Sequence, residues 1–364
     1  MSISSRFSAS LSTLAIAVLC AIATPGKADV TIEPLVTGLD TPWAVAPMPD
    51  GGALITLKAG QLLHVADGKA QQVAGVPKVA SGGQGGLLDI TLAADFAQTR
   101  TLFMTYSKPQ GQGSGTALVR ARLSEQGDRL ADVTQLFEMA RGSSGGRHFG
   151  SRVVEARDGT LFVTIGDRGD RPSAQDTTRH NGSIVRVTRD GRVPADNPFV
   201  GRDGVRPEIW SFGHRNPQGA GLDLQGNLWV SEHGARGGDE VNAVRAGANY
   251  GWPVISYGRH YSGAKIGEGT AKAGMEQPEF YWDPSMAPSG LLVYSGKLNP
   301  DWKGDILVGS LKFDYIARLD GSPLQEVAQI KTPETARVRD IVEAPDGSIW
   351  FISVGNGTVY RMTP

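Results

Sequence analysis

Cysteine is nearly absent from this sequence: Cys20 is the one such residue in 364. It lies in an N-terminal apolar run, and a chain without that run has no disulfide, no thiolate metal ligand and no cysteine nucleophile. An excess of charge of one sign is missing too, with 36 Lys and Arg against 37 Asp and Glu and a formal net charge of −1. That balance gives no electrostatic footprint for nucleic acid or for a membrane surface. After the N-terminal run there is no second apolar stretch of spanning length, so no membrane span is expected.

The N-terminus reads as a secretory signal peptide over residues 1–28. Arg6 supplies the positive end, residues 14–23 are unbroken apolar, and Gly26-Lys27-Ala28 offers small residues at cleavage spacing. A buried helix fits less well, because Pro25 and polar residues follow at once; Leu19, before Cys20, has the wrong size for a lipid-attachment signal. Loss of Arg6 and Lys27 with the leader takes the formal charge from −1 to −3. The expectation is a soluble chain, 29–364, in the periplasm or secreted, forming one domain and a monomer.

What the sequence has in plenty is glycine, 48 residues, with 21 prolines, a composition of short strands and turns. One pattern recurs: an Asp/Gly-type turn, four to six apolar or β-branched residues, then glycine or polar residues. It appears as PDGGALIT at 49, DGTLFVTIGD at 158, QGNLWVSEHG at 225, KGDILVGSL at 303 and PDGSIWFISVG at 345, with a weaker copy, TRTLFMTYS, at 99. The apolar residues run or alternate as strands do, without helical spacing. A two-sheet sandwich rarely reaches this length with such wide connections. The expected fold is all-β, a six-bladed β-propeller, which would gather its inter-strand loops at one end of a central channel.

Five loop regions stand apart from the repeats: GGQGGLLDI at 82, GGRHFGSR at 145, GHRNPQG at 213, SEHGARGGDEVN at 231 with ANYGWP at 248, and SLKFD at 310 with ARVRD at 336. As an ordered set they resemble the soluble glucose and aldose dehydrogenases that depend on pyrroloquinoline quinone (PQQ). The resemblance implies PQQ and Ca2+ as cofactors, an aldose substrate and an external electron acceptor. PQQ is a flat ortho-quinone with three carboxylates, so its site needs several cations. Arg215, Lys312, Arg337 and Arg339 match the family's basic positions, with Gln84 and Asn216 as neutral partners and Ser285 where the glucose-oxidising branch has threonine. Spacing alone would make Arg337 and Arg339 one face of a solvated strand edge. Tyr261 serves equally well as a PQQ contact or as aromatic packing.

By the same resemblance the carbonyls of Gly234 and Ala235 hold the calcium that bridges protein and PQQ, while Glu240 and the Tyr250 carbonyl hold a second one. Without it the segment is an ordinary acidic turn, since the EF-hand pattern is absent. His148 matches the general base. A histidine in isolation is more often a surface or packing residue, but here flanking glycines would let substrate approach. The sequence departs from the glucose-oxidising branch at Arg147, which stands where that branch has an acid, at Ala235 for proline and at His233 for glutamine. Two other readings remain: a calcium-dependent lactonase on a similar propeller, and a non-catalytic carbohydrate-binding propeller.

Overall fold

The computed structural model describes residues 30–111 and 113–364, so the expected leader, 1–28, lies outside the described residues. The strands form six four-stranded antiparallel sheets, and the fold is the six-bladed propeller that the repeats imply. Each recurrent segment becomes the same element, the second strand of its blade: Ala53–Leu57, Thr101–Gln110, Leu161–Ile165, Leu228–Glu232, Ile306–Ser310 and Ile349–Ser353. Such a strand is flanked in its own sheet and covered on both faces by neighbouring blades. This explains why Ala53–Leu57, Leu161–Ile165 and Ile306–Ser310 are buried at every residue and read as continuous apolar runs.

Ring closure uses the two ends of the chain. Thr31–Val36 pairs with Thr358–Thr363 and completes the sheet whose other strands are the last three of the sequence. No repeat signalled this strand, because it lies at the blade's outer edge and is only partly buried.

The innermost strands, Pro42–Pro47, Leu87–Leu92, Val153–Glu155, Pro217–Leu222, Pro288–Val293 and Val338–Glu343, pack neighbour to neighbour around the channel. Five of them slip register near their start: between Pro42 and Ala44, Leu87 and Ile90, Pro217 and Gly219, Pro288 and Leu291, and Val338 and Asp340. A bulge re-aims the side chain of its extra residue. Here the residues inside the irregularities include Trp43, Leu88, Gln218 and Arg339, all of which line a single cavity at that end of the channel. The fourth blade carries the longest insertion, between Asp239–Ala243 and Phe280–Trp282, which covers the same end. Among the described residues no helix is long and apolar enough to cross a membrane.

Candidate active site

The cavity has a volume of about 1450 Å3 and collects residues from loops far apart in sequence. Gln84, Asn216, Gly234, Ala235, Tyr261, Ser285, Lys312, Arg337 and Arg339 line it. His148 is held at its edge by Gln84 and by its neighbour Phe149, both lining residues. Arg215, Glu240 and Tyr250 instead border a small closed cavity of about 20 Å3 beneath Gly234. The sequence-predicted residues therefore meet at one mouth, in two tiers.

His148 is placed by two glycine loops pressed backbone to backbone. A Cβ on Gly83 would come within 2.2 Å of the Gly146 carbonyl oxygen, so nothing but glycine fits there. Gln84 donates its N–H to that carbonyl at 2.8 Å and accepts the His148 N–H on Oε1 at 2.7 Å. His148 has φ 52°, a conformation non-glycine residues avoid, and its carbonyl lies 2.3 Å from where a Cβ on Gly166 would stand. Arg168, 2 % exposed, braces this loop from behind: its guanidinium packs 3.3 Å over the Phe149 ring and donates to the Arg147 carbonyl.

The imidazole meets Asp167 through Nδ1 at 2.6 Å. Asp167 in turn accepts from the Trp252 indole at 2.8 Å and from the Gly169 N–H at 2.7 Å, so its carboxylate is fixed. An ionised Asp167 favours the tautomer with its proton on Nδ1, which leaves the Nε2 lone pair available. Burial lowers the His148 pKa from its usual 6.5, and the Arg215 and Arg147 guanidinia push the same way, against the lift from Asp167. The ring is then neutral at neutral pH, the state a general base requires.

Positive charge dominates the walls. Arg215 donates to the His233 carbonyl at 3.1 Å, Lys312 to that of Ser285 at 3.2 Å, Arg337 to that of Leu311 at 3.1 Å, and Arg339 to the Gln218 amide oxygen at 2.8 Å. None of these four forms an ion pair with a carboxylate among the described residues. Burial, with Arg152 and Arg337 nearby, pushes Arg339 down to about 9. The buried Arg215 Nε and His233 Nε2 have no hydrogen-bond partner among the described residues. Unpaired cations and orphaned nitrogens gathered around two adjoining cavities are the donor set for a polyanion.

Oxygen donors are found in both tiers. The Gly234 and Ala235 carbonyl oxygens accept no hydrogen bond of ordinary geometry from the described residues, and their loop is anchored by Asp239, which accepts from the Gly234 N–H at 2.7 Å and the Ser285 hydroxyl at 2.7 Å. In the lower cavity, removal from water and the nearby Glu232 and Asp239 charges push Glu240 up to about 8. A cation there would relieve that repulsion, and the volume suits one ion or water. Among the described residues no three His, Cys, Asp or Glu side chains cluster as a metal site, so any hard cation here would lean on backbone oxygens.

Tyr261 is 71 % exposed, which removes the packing role and leaves it on the rim. Sequence reasoning missed Lys58, Trp43, Gln218 and Asp314, which line the cavity, and Asp167 and Trp252, which fix the His148 ring. One signal pointed to Asp167: it is a charge at the end of an otherwise apolar repeat.

The solved structures sharing this architecture set the class, propeller dehydrogenases that act on sugars. The soluble aldose sugar dehydrogenase of Escherichia coli in its apo-form superposes with TM-score 0.89 at 40 % identity, covering 92 % of this chain and 100 % of that one. The PQQ-bound form of an aldose sugar dehydrogenase from Streptomyces coelicolor gives 0.73 at 26 % identity, over 93 % and 99 %. In sequence, aldose sugar dehydrogenase YliI of E. coli is 42 % identical over 347 residues, 93 % of this chain and 94 % of that protein. Residues 39–361 match the glucose/sorbosone dehydrogenase family, and the chain belongs to it.

Proposed function

We propose that this chain is a PQQ- and calcium-dependent aldose dehydrogenase, exported through its 1–28 leader to the periplasm, which oxidises the anomeric carbon of a sugar to the lactone and passes the electrons to an external acceptor. The observation that carries the reading is the convergence of Lys312, Arg337 and Arg339 on a cavity edged by a neutral, carboxylate-oriented histidine, with Arg215 in the tier beneath and none of the four paired with a carboxylate among the described residues. When bound, PQQ with its calcium supplies the hydride acceptor. Arg215, Lys312, Arg337 and Arg339 would hold its carboxylates, Asn216, Gln84 and Ser285 would supply polar contacts, and Tyr261 would cover the open side. The carbonyls of Gly234 and Ala235 would hold the calcium, and Glu240 with the Tyr250 carbonyl a structural ion below. His148 Nε2 would take the proton of the anomeric hydroxyl, and Asp167 would steady the imidazolium so formed. A lactonase would instead present metal-bound carboxylates, and a binding propeller would have no use for an oriented base.

The test is reconstitution. Purified protein is incubated with PQQ and calcium, and the quinone spectrum is followed on adding an aldose panel. Bleaching is expected with at least one aldose. A bound but unreduced chromophore across the whole panel would remove the oxidoreductase reading for this site.

A second measurement separates cofactor grip from fold. Arg339 holds its proton less tightly in the folded chain, about 9 and well below the usual guanidinium range, so its charge costs stability at neutral pH when nothing anionic faces it. Arg339→Gln is therefore expected to weaken PQQ binding about tenfold or more, the worth of one charge-assisted hydrogen bond. The melting temperature of the cofactor-free protein should not fall. Fluorescence titration and a thermal scan measure the two; unchanged affinity takes Arg339 out of the cofactor site.

A further inference from the structure

A row of three cations, two of them at the mouth of the cavity, lies outside the set assigned to PQQ. Arg236 and Arg259 exchange both backbone hydrogen bonds, each at 3.0 Å, and Arg259 is bridged on its other side to Lys265. Residues directly opposite in an antiparallel pair project from the same face, where like charges repel and cost stability. No ion pair among the described residues includes any of the three. Lys265 donates to the Glu268 carbonyl, and Asp283 packs against Gly237 without pairing with either guanidinium. Both arginines line the cavity.

The row belongs to the wall that supports the base. Asp167, which orients His148, accepts from Trp252; Arg171 lies 5.5 Å over the Trp252 ring, and its Nη1 is 2.6 Å from the Nδ1 of His260, the residue between Arg259 and Tyr261. Arg147, next to His148 in sequence, is exposed and has no carboxylate partner among the described residues. The four cations proposed for PQQ come from other segments, so its three carboxylates leave this row unneutralised.

We infer that Arg236 and Arg259 form an oxyanion subsite for the sugar itself, and that the preferred substrate is an aldose bearing a carboxylate or phosphate. The inference rests on the dehydrogenase reading above and adds the substrate class to it.

The experiment compares kcat/KM for glucose, glucuronate and glucose 6-phosphate with the PQQ- and calcium-loaded protein at low and high salt, using one neutral and one anionic electron acceptor. At low salt at least one anionic sugar should exceed glucose about tenfold or more, with salt eroding the ratio. Glucuronate and glucose 6-phosphate tell carboxylate from phosphate. Arg236→Gln and Arg259→Gln, checked first for fold by thermal scan and for PQQ affinity, should each bring the anionic-to-neutral ratio down about tenfold. A wild-type ratio at or below one overturns the inference while leaving the dehydrogenase reading intact. So does a variant effect seen only with the anionic acceptor, which would assign the row to that acceptor. Absence of PQQ reduction by every sugar defeats the dehydrogenase reading itself.

Discussion

Replacement of His148 by alanine is expected to lower kcat by about 10²- to 10⁴-fold, the usual contribution of a positioned general base, with PQQ affinity close to wild type. Alanine suits the test better than glycine, because φ is 52° there and glycine would also loosen the backbone. The Gln84 clasp uses the main-chain N–H of residue 148 and survives the change. Stopped-flow reduction of bound PQQ reads the chemical step directly, and a rate within a few-fold of wild type would take His148 out of the base role. The pH profile carries an independent signature. The active form is the neutral ring, so activity falls as pH drops through the folded-state pKa, which lies below 6.5. Asp167→Asn removes the charge that raises that pKa, so the acid limb of kcat/KM should move to lower pH even as kcat falls from lost orientation.

The architecture was legible because the repeated unit is a strand enclosed within its blade, fully buried in Ala53–Leu57, Leu161–Ile165 and Ile306–Ser310 and least so in the weaker copy, Thr101–Gln110. A strand enclosed on all sides must be apolar throughout, and Leu161–Ile165 announces itself without any neighbour's help. The cavity residues were legible where a loop sequence is unusual in itself, as at GGRHFG, where a Cβ on Gly145 would come within 2.9 Å of the Arg168 carbonyl oxygen and one on Gly150 within 2.7 Å of that of Thr164. Long-range support was hidden. Asp167 and Trp252 are 85 residues apart, and only the ring brings them within hydrogen-bonding distance. The bulges that aim Trp43, Gln218 and Arg339 into the cavity leave no mark in local composition, since register is a property of the strand pair. The N-terminal closing strand escaped for the opposite reason: its mixed burial gives it no periodic pattern. Arg337 and Arg339, which spacing alone would have placed on a solvated edge, begin an inner strand facing the channel.

Beneath the cavity the channel is plugged by Arg152, and its removal is the change expected to cost the fold most. Arg152, Asp89 and Asp340 are 4 %, 5 % and 2 % exposed. Arg152 donates through Nη1 to Asp89 at 2.9 Å and to Asp340 at 2.6 Å, through Nε to the Gln218 carbonyl at 2.7 Å and through Nη2 to the Arg339 carbonyl at 3.0 Å, and it packs 4.4 Å from the Trp43 ring. The two carboxylates reach onward to the N–H groups of Val153 and Val45, so one guanidinium ties together five blades. Arg152→Met would leave two buried acids facing each other, and breaking a buried ion pair by deleting one partner costs about 3–5 kcal/mol. Burial already raises Asp89 to about 6, against 3.8 in the unfolded chain. A pKa raised on folding favours the folded state below the unfolded value, and that stabilisation is lost as pH rises through the folded value. Without Arg152, which lowers the Asp89 pKa, Asp89 protonates more readily still, so the loss in a denaturant titration should be larger at pH 8 than at pH 5. Adding Asp89→Asn and Asp340→Asn to Arg152→Met keeps an acceptor for each backbone N–H and removes the charge, and should recover much of the deficit. If the triple variant is no more stable than Arg152→Met at pH 8, the cost lies in lost packing against Trp43 and not in the stranded carboxylates.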